Sequence, residues 1–192
     1  MTYPTLAVRL PDWLEKFLSR AERTYPTVDE RMRLVIELSR LNVENGTGGP
    51  FGAAIFDMRD RSLLAAGVNL VVSGNCSILH AEIVAMILAQ AKAGTFDLGA
   101  EGVGPCELVA SAEPCAMCLG ALQWSGIRRL ACGARGEDVE RIGFDEGEKP
   151  PAWVDALERR GISVVRDVCR DEAVRSLRDY RECEGMIYSP RR

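Results

Sequence analysis

The sequence predicts a three-layer α/β/α sandwich built on a mixed five-stranded sheet. Three observations carry that expectation. Apolar runs of strand length alternate with stretches of helical spacing. The 192 residues suit one domain with a terminal extension and are ample for a sizeable core. A helical stretch separates the last two strand-like runs, the kind of crossover that makes them parallel neighbours.

Residues 1–26 read as an N-terminal extension, in which "PDWLEKFLSRAER" forms a short extra helix, and residues 27–192 as the domain proper. Thr27 and Glu30 in "TVDE" make a capping-box pattern, opening a helix that runs to about Glu44 before the Gly-rich loop "NGTGGPFG". "FGAAIFD" and "SLLAAGVNLVV" read as a strand pair joined by the polar turn "MRDR". "HAEIVAMILAQAKAG" is a helix from about Leu79, with Gly94 placed past its end. "CELVASA" reads as a buried strand, "PCAMCLGALQWS" as a helix with Pro114 in its first turn, and "RRLACGA" as the next strand. The loop "RGEDVERIGFDEGEKP" then leads to a helix "PAWVDALERRG", a strand "ISVVRDV" and a last helix from about Asp171 to Glu184.

Lys and Arg number 24 against 28 Asp and Glu, for a formal charge of −4 and a pI near 5.2. That balance argues against nucleic acid as the main partner and for a small molecule. "MTYPTLAVRLPDWLEK" lacks the basic-then-apolar order of a signal peptide, and "IVAMILA" is far too short to span a bilayer. The expectation is a cytoplasmic protein with no membrane partner. Seven cysteines without an export signal do not suggest a disulfide framework. Cys132 and Cys169 lie in strand-like runs and read as small buried hydrophobes, as by default do Cys76, Cys106 and Cys183.

Cys115 and Cys118 are different, because they stand three apart at the start of a helix and so share a face. Such a pair can hold half a structural zinc site, act as a redox couple, form a disulfide, or belong to a catalytic metal site. The only histidine, His80, opens another helix and is followed two residues later by Glu82. A lone histidine is usually just a packed imidazole, but H-x-E followed by P-C-x-x-C is the grammar of zinc-dependent deaminases. His80, Cys115 and Cys118 supply three ligands to Zn2+, one ion per chain, and leave the fourth tetrahedral position open for water. A structural site would need a fourth protein ligand, and neither Cys76 nor Cys106 belongs to a second close pair. A redox motif explains neither His80 nor Glu82. Zinc lowers the pKa of bound water from about 15.7 toward ~7. Glu82, adjacent but not a ligand, is then the proton carrier. A first-turn glutamate is also favoured by the helix dipole, which is compatible with that role.

From about Pro50 to Gly147 the chain resembles the cytidine deaminase-like superfamily, and within it the guanine deaminase branch. The resemblance rests on "GGPFGAAIFD", "GVNLVV", "HAEIVA", "SAEPCAMCLGALQWSGI" and "GFDEG". It implies a free nucleobase substrate, guanine hydrolysed to xanthine and ammonia, and a homodimer. Asn69 matches the asparagine that hydrogen-bonds the base, Phe51 and Phe144 match aromatic positions lining the purine pocket, and Ala81 would offer its backbone amide. Where many relatives carry "GFDD", this chain has Asp145 and Glu146. The resemblance assigns Glu146 as a second catalytic carboxylate beside the leaving amine and Asp145 as a substrate contact. A pocket changed in this way could accept amino-triazines such as ammeline. Competing readings are a tRNA adenosine deaminase, a cytosine or nucleoside deaminase, and a non-catalytic deaminase-like subunit. The acidic "ERIGFDEGEKP" loop opposes the tRNA reading, although Arg191 and Arg192 are basic. The presence of Glu82 opposes the non-catalytic one.

Overall fold

The structure, a computed structural model, describes residues 7–188; the Arg191–Arg192 pair lies outside that range. Five strands form one sheet: β1 (Gly52–Asp57), β2 (Leu63–Val68), β3 (Cys106–Ala112), β4 (Arg129–Ala134) and β5 (Ser163–Val165). Their order is β2-β1-β3-β4-β5. β1 is antiparallel to β2 and β3, whereas β3, β4 and β5 run parallel. The mixed sheet and its parallel last pair agree with the expectation.

Alternation along the central strands divides the core into two layers. Ala54 and Phe56 of β1 pack with Met32, Val35 and Leu38 of α2 (Val28–Glu44) and with Leu177 of α7 (Arg170–Glu182). Ala53 and Ile55 face the opposite side, toward Ala85 and Ala89 of α3 (Ala81–Ala93), Leu119 of α4 (Ala116–Leu122) and Leu157 of α6 (Trp153–Glu158). The capping box forms as the sequence pattern requires, with the Glu30 amide donating to Thr27 Oγ1 at 3.2 Å and the Thr27 amide to Glu30 Oε2 at 2.7 Å. Gly94 ends α3 at φ +67°, a left-handed turn that glycine adopts without penalty.

The N-terminal segment packs onto this frame. α1 (Asp12–Leu18) buries Leu14 completely in the core, and Trp13 Nε1 donates to Thr47 Oγ1 at 3.0 Å.

Several local expectations change, among them Cys183, which is exposed rather than buried, and the last strand, which is confined to Ser163–Val165. β2 stops at Val68, because after one more bond to β1, from the Asn69 amide to the Phe51 carbonyl, the Leu70 amide donates to the Leu79 carbonyl and residues 71–75 form turns. α3 and α4 start later than their apolar patterns suggest, with His80 and Cys115 as their N-cap residues in extended conformation. Pro114 accordingly precedes the helix rather than occupying its first turn. The segment read as one long loop contains α5 (Gly136–Arg141), closed by the Asp138 carboxylate accepting the Arg135 amide at 2.9 Å. Among the described residues, no helix is long and apolar enough to cross a membrane.

Candidate active site

The site lies where β3 and β4 end and α3 and α4 begin, the edge at which parallel α/β sheets collect ligands. N-cap positions place His80 and Cys115 with their side chains outside the helical ladder, and Cys118 follows one turn into α4. His80 Nδ1 lies 3.5 Å from Cys115 Sγ, and the three candidate ligand atoms are all within 4.8 Å of one another. Among the described residues this is the one cluster of histidine, cysteine or acidic groups fit to hold a metal.

Its electrostatics suit a cation. The hydrogen bond from Cys118 and the neighbouring imidazole push the Cys115 thiol well below its ordinary range, toward the thiolate form that binds a metal. The same shared hydrogen bond, with burial, raises the Cys118 thiol. Two soft sulfurs and one imidazole nitrogen make the donor set of a catalytic zinc site with an open position.

His80 and Cys115 line a cavity of about 630 Å³. Glu82, in the first turn of α3, is buried in its wall, and burial followed by the Cys115 charge raises its pKa. Glu146 enters from the loop after α5. It is 7 % exposed, and burial pushes its carboxyl up to about 7 against the pull of Lys149. Asp145 also borders the cavity but is exposed, its carboxylate accepting the Gly147 amide at 2.8 Å. Phe51 and Phe144 meet edge to face, 5.1 Å between ring centroids, in the same wall. Asn69 is buried below them; its Nδ2 donates to the Tyr188 hydroxyl at 2.5 Å. Ala81 is buried at the start of α3, whose flanking residues His80 and Glu82 form the cavity wall.

Sequence reasoning missed three neighbours. Tyr188 lines the cavity with its ring 6.3 Å from His80 and 5.5 Å from Phe144. Its contact with Asn69 spans 119 residues, which no local pattern reveals. Glu113, buried where β3 ends, is held by Arg166 and by the Gly136 amide. Lys149 pairs with Glu146 at 3.1 Å, and its one legible signal was the i,i+3 spacing of opposite charges.

The family model of the cytidine and deoxycytidylate deaminase zinc-binding region matches residues 26–134. The chain belongs to this deaminase family. A probable cytosine deaminase of Schizosaccharomyces pombe is 34% identical over 148 residues, 74% of this chain and 85% of that one. The solved structure of guanine deaminase from Nitrosomonas europaea is 48% identical, covers 95% of this deaminase and 100% of itself, and superposes with a TM-score of 0.90. A structure solved in complex with 2,6-diaminopurine is 49% identical over 98% of both chains, also at 0.90. The deaminase thus combines a zinc-binding family signature with close likeness to a purine-base enzyme.

Proposed function

We propose that this deaminase hydrolyses free guanine to xanthine and ammonia, with Glu82 and Glu146 as its two proton carriers. One observation carries the reading: of the three buried carboxylates that line the cavity beside the His80, Cys115 and Cys118 cluster, Glu113 is taken up by Arg166 and the Gly136 amide, which leaves Glu82 and Glu146 for the chemistry. Likeness to the Nitrosomonas europaea enzyme over nearly the whole chain supports guanine as substrate.

His80, Cys115 and Cys118 would hold the zinc, which when bound would act as a Lewis acid and make water available as hydroxide at neutral pH. Glu82 accepts the first proton of that water and delivers it to the ring nitrogen next to the amine-bearing carbon. Glu146 takes the second proton and passes it to the exocyclic amine, which leaves as ammonia. The water oxygen bonds to the amine-bearing carbon and remains there as the new carbonyl when the C–N bond breaks, so both protons and the oxygen are accounted for. A carboxyl poised near neutrality suits a group that must accept and donate in one cycle. Phe51 and Phe144 provide apolar walls for a planar base. Asn69 reads its amide edge with the side chain that here bonds Tyr188, the Ala81 amide adds a second contact, and Asp145 stands at the mouth.

A homodimer and a cytoplasmic location belong to the same reading. Met117 on α4 and the adjoining Trp124, 82 % exposed, support a subunit contact there, and the seven unpaired cysteines suit a reducing compartment.

The second reading is cytosine deamination, favoured by the Schizosaccharomyces pombe relative. Ammonia release from zinc-loaded protein should be greatest with guanine and detectable with ammeline. Adenine, cytosine, guanosine, cytidine and tRNA should react far more slowly, since a pocket built to hydrogen-bond one edge rejects molecules lacking it by up to ~10⁴-fold. Asn69→Ala should relax that preference. Cytosine or cytidine turned over faster than guanine would overturn the assignment.

A further inference from the structure

We infer that Lys149 is a positioning residue of this deaminase, a cationic brace that holds the Glu146 carboxylate against the metal-ligand turn. The inference rests on the reading of Glu146 as a catalytic group and goes beyond it by naming what keeps that group in place.

The observation is a convergence of bonds on one ammonium. Lys149 Nζ donates to Glu146 Oε2 at 3.1 Å and to the Pro114 carbonyl at 3.2 Å. Pro114 immediately precedes the candidate ligand Cys115, so one side chain ties the loop carrying Glu146 to the turn that carries the metal ligand. The pair is enclosed, with the lysine side chain 14 % exposed and the glutamate 7 %. An ion pair removed from water in this way gains little net stability over a surface bridge, but losing one partner strands the other unpaired, so the two groups are tied to one geometry.

The surroundings leave room for this lysine and reserve it for Glu146. A Cβ added to Gly136 would lie 2.7 Å from Lys149 Nζ, so glycine there opens the space the ammonium fills. The other buried acid nearby, Glu113, is already satisfied. Its Oε1 accepts from Arg166 at 2.6 Å and its Oε2 from the Gly136 amide at 3.0 Å. The main chain of the loop has one matching anchor, the Ala116 amide donating to the Glu146 carbonyl at 2.9 Å. That bond fixes where the residue sits; among the described residues, Lys149 is the side chain that bonds its carboxylate and so sets where it points. Misplacing a reacting group by about an ångström costs on the order of 10²-fold in rate.

The test is a double-mutant cycle on the zinc-loaded protein with guanine as substrate, reading kcat, KM, zinc per chain and thermal midpoint. Lys149→Met should keep zinc, lower kcat at least ~10-fold and leave KM within about 3-fold. Lys149→Arg should restore most of the lost kcat, because a guanidinium spans the same two acceptors. In a Glu146→Gln background, adding Lys149→Met should cost less than about 2-fold, since there is no longer a carboxylate to place. Lys149→Gln provides a polar substitute should the methionine variant fold poorly, and the same kcat loss is expected of it. A parental kcat in Lys149→Met or Lys149→Gln, beside a slow Glu146→Gln, overturns the brace alone. So does a loss from Lys149→Met that is equally large with and without Glu146. A Glu146→Gln enzyme as fast as the parent overturns the two-carboxylate reading itself, and the brace with it.

Discussion

Glu82 and Glu146 are both carboxylates in one cavity wall, yet their positions constrain them differently. Glu82 is rooted in the first turn of α3, two residues from His80, so its reach is set by the helix. Glu146 hangs from a loop and owes its direction to partners. Glu82→Gln keeps the shape of the side chain and removes its ability to carry a proton. Because Glu82 is not a ligand, zinc content by metal analysis should stay near one per chain while kcat falls at least ~10²-fold, the usual scale of general acid–base catalysis. Its neighbours at the second site differ by one residue. Asp145 turns outward to the Gly147 amide whereas Glu146 turns in, so Asp145→Asn should be much milder than Glu146→Gln in the same assay. The metal ligands and Glu82 were legible because their spacing is local: three residues in one helix turn, two in another. Tyr188 and Lys149 were not, because their roles come from contacts the chain makes only after folding.

At the scale of the element, α5 shows where pattern reading stops. Its six residues carry too short an apolar signal to register, and what closes it is ionic. The Asp138 carboxylate accepts the Arg135 amide at 2.9 Å, Arg170 Nε at 2.9 Å and Arg141 Nη1 at 2.9 Å. Burial opposes its ionisation, but Arg170 and these other donors outweigh burial and hold the carboxyl down at about 2. A folded pKa below the unfolded value means that the unfolded chain binds the proton first as pH falls. The stabilisation is therefore complete above about pH 5 and drains away as pH drops toward 2. Asp138→Asn should lower stability by roughly 1–2 kcal/mol at pH 6, and the gap to the parent should shrink steadily between pH 5 and pH 2 in urea unfolding. A pH-independent gap would assign the effect to packing rather than charge. Since α5 precedes the Glu146 loop, such a variant should also lose some turnover at neutral pH.

At the scale of the whole molecule, the site exists because helices approach the sheet closely. Gly67 in β2 touches the start of α3 so nearly that an added Cβ would lie 2.5 Å from the Ala81 carbonyl and 2.6 Å from the Ala85 amide. Backbone atoms cannot give way as a flexible side chain can. Gly67→Ala should therefore push α3 outward, destabilise the fold by roughly 1–3 kcal/mol, and loosen zinc by displacing His80. Chemical denaturation and zinc retention against a chelator measure the two effects together. At the other end of the sheet, Glu107 of β3 is buried between Arg31 of α2 at 2.6 Å and Arg129 of β4 at 3.0 Å, stitching three elements into one register. A buried ionic triad of this kind is better evidence for a specified arrangement than for added stability.

The sequence alone determined the sheet's alternation with helices, the capping box of α2, the left-handed glycine after α3, and the zinc-binding signature with its attendant acid. Each is written in short motifs of residues within a few positions of one another, where backbone geometry dictates which side chains can meet, although the His80 and Cys115 halves of the signature meet across 35 residues only in the fold. Tertiary structure decided the rest. It ended β2 at Val68 by turning the chain toward His80, placed His80 and Cys115 at helix caps, and buried Glu146 in the cavity wall while leaving Asp145 exposed at its border. It also brought Tyr188 onto Asn69 across 119 residues and Lys149 onto the Pro114 carbonyl across 35. Those outcomes turn on which surfaces are removed from water together, a property of the packed chain that no local spacing encodes.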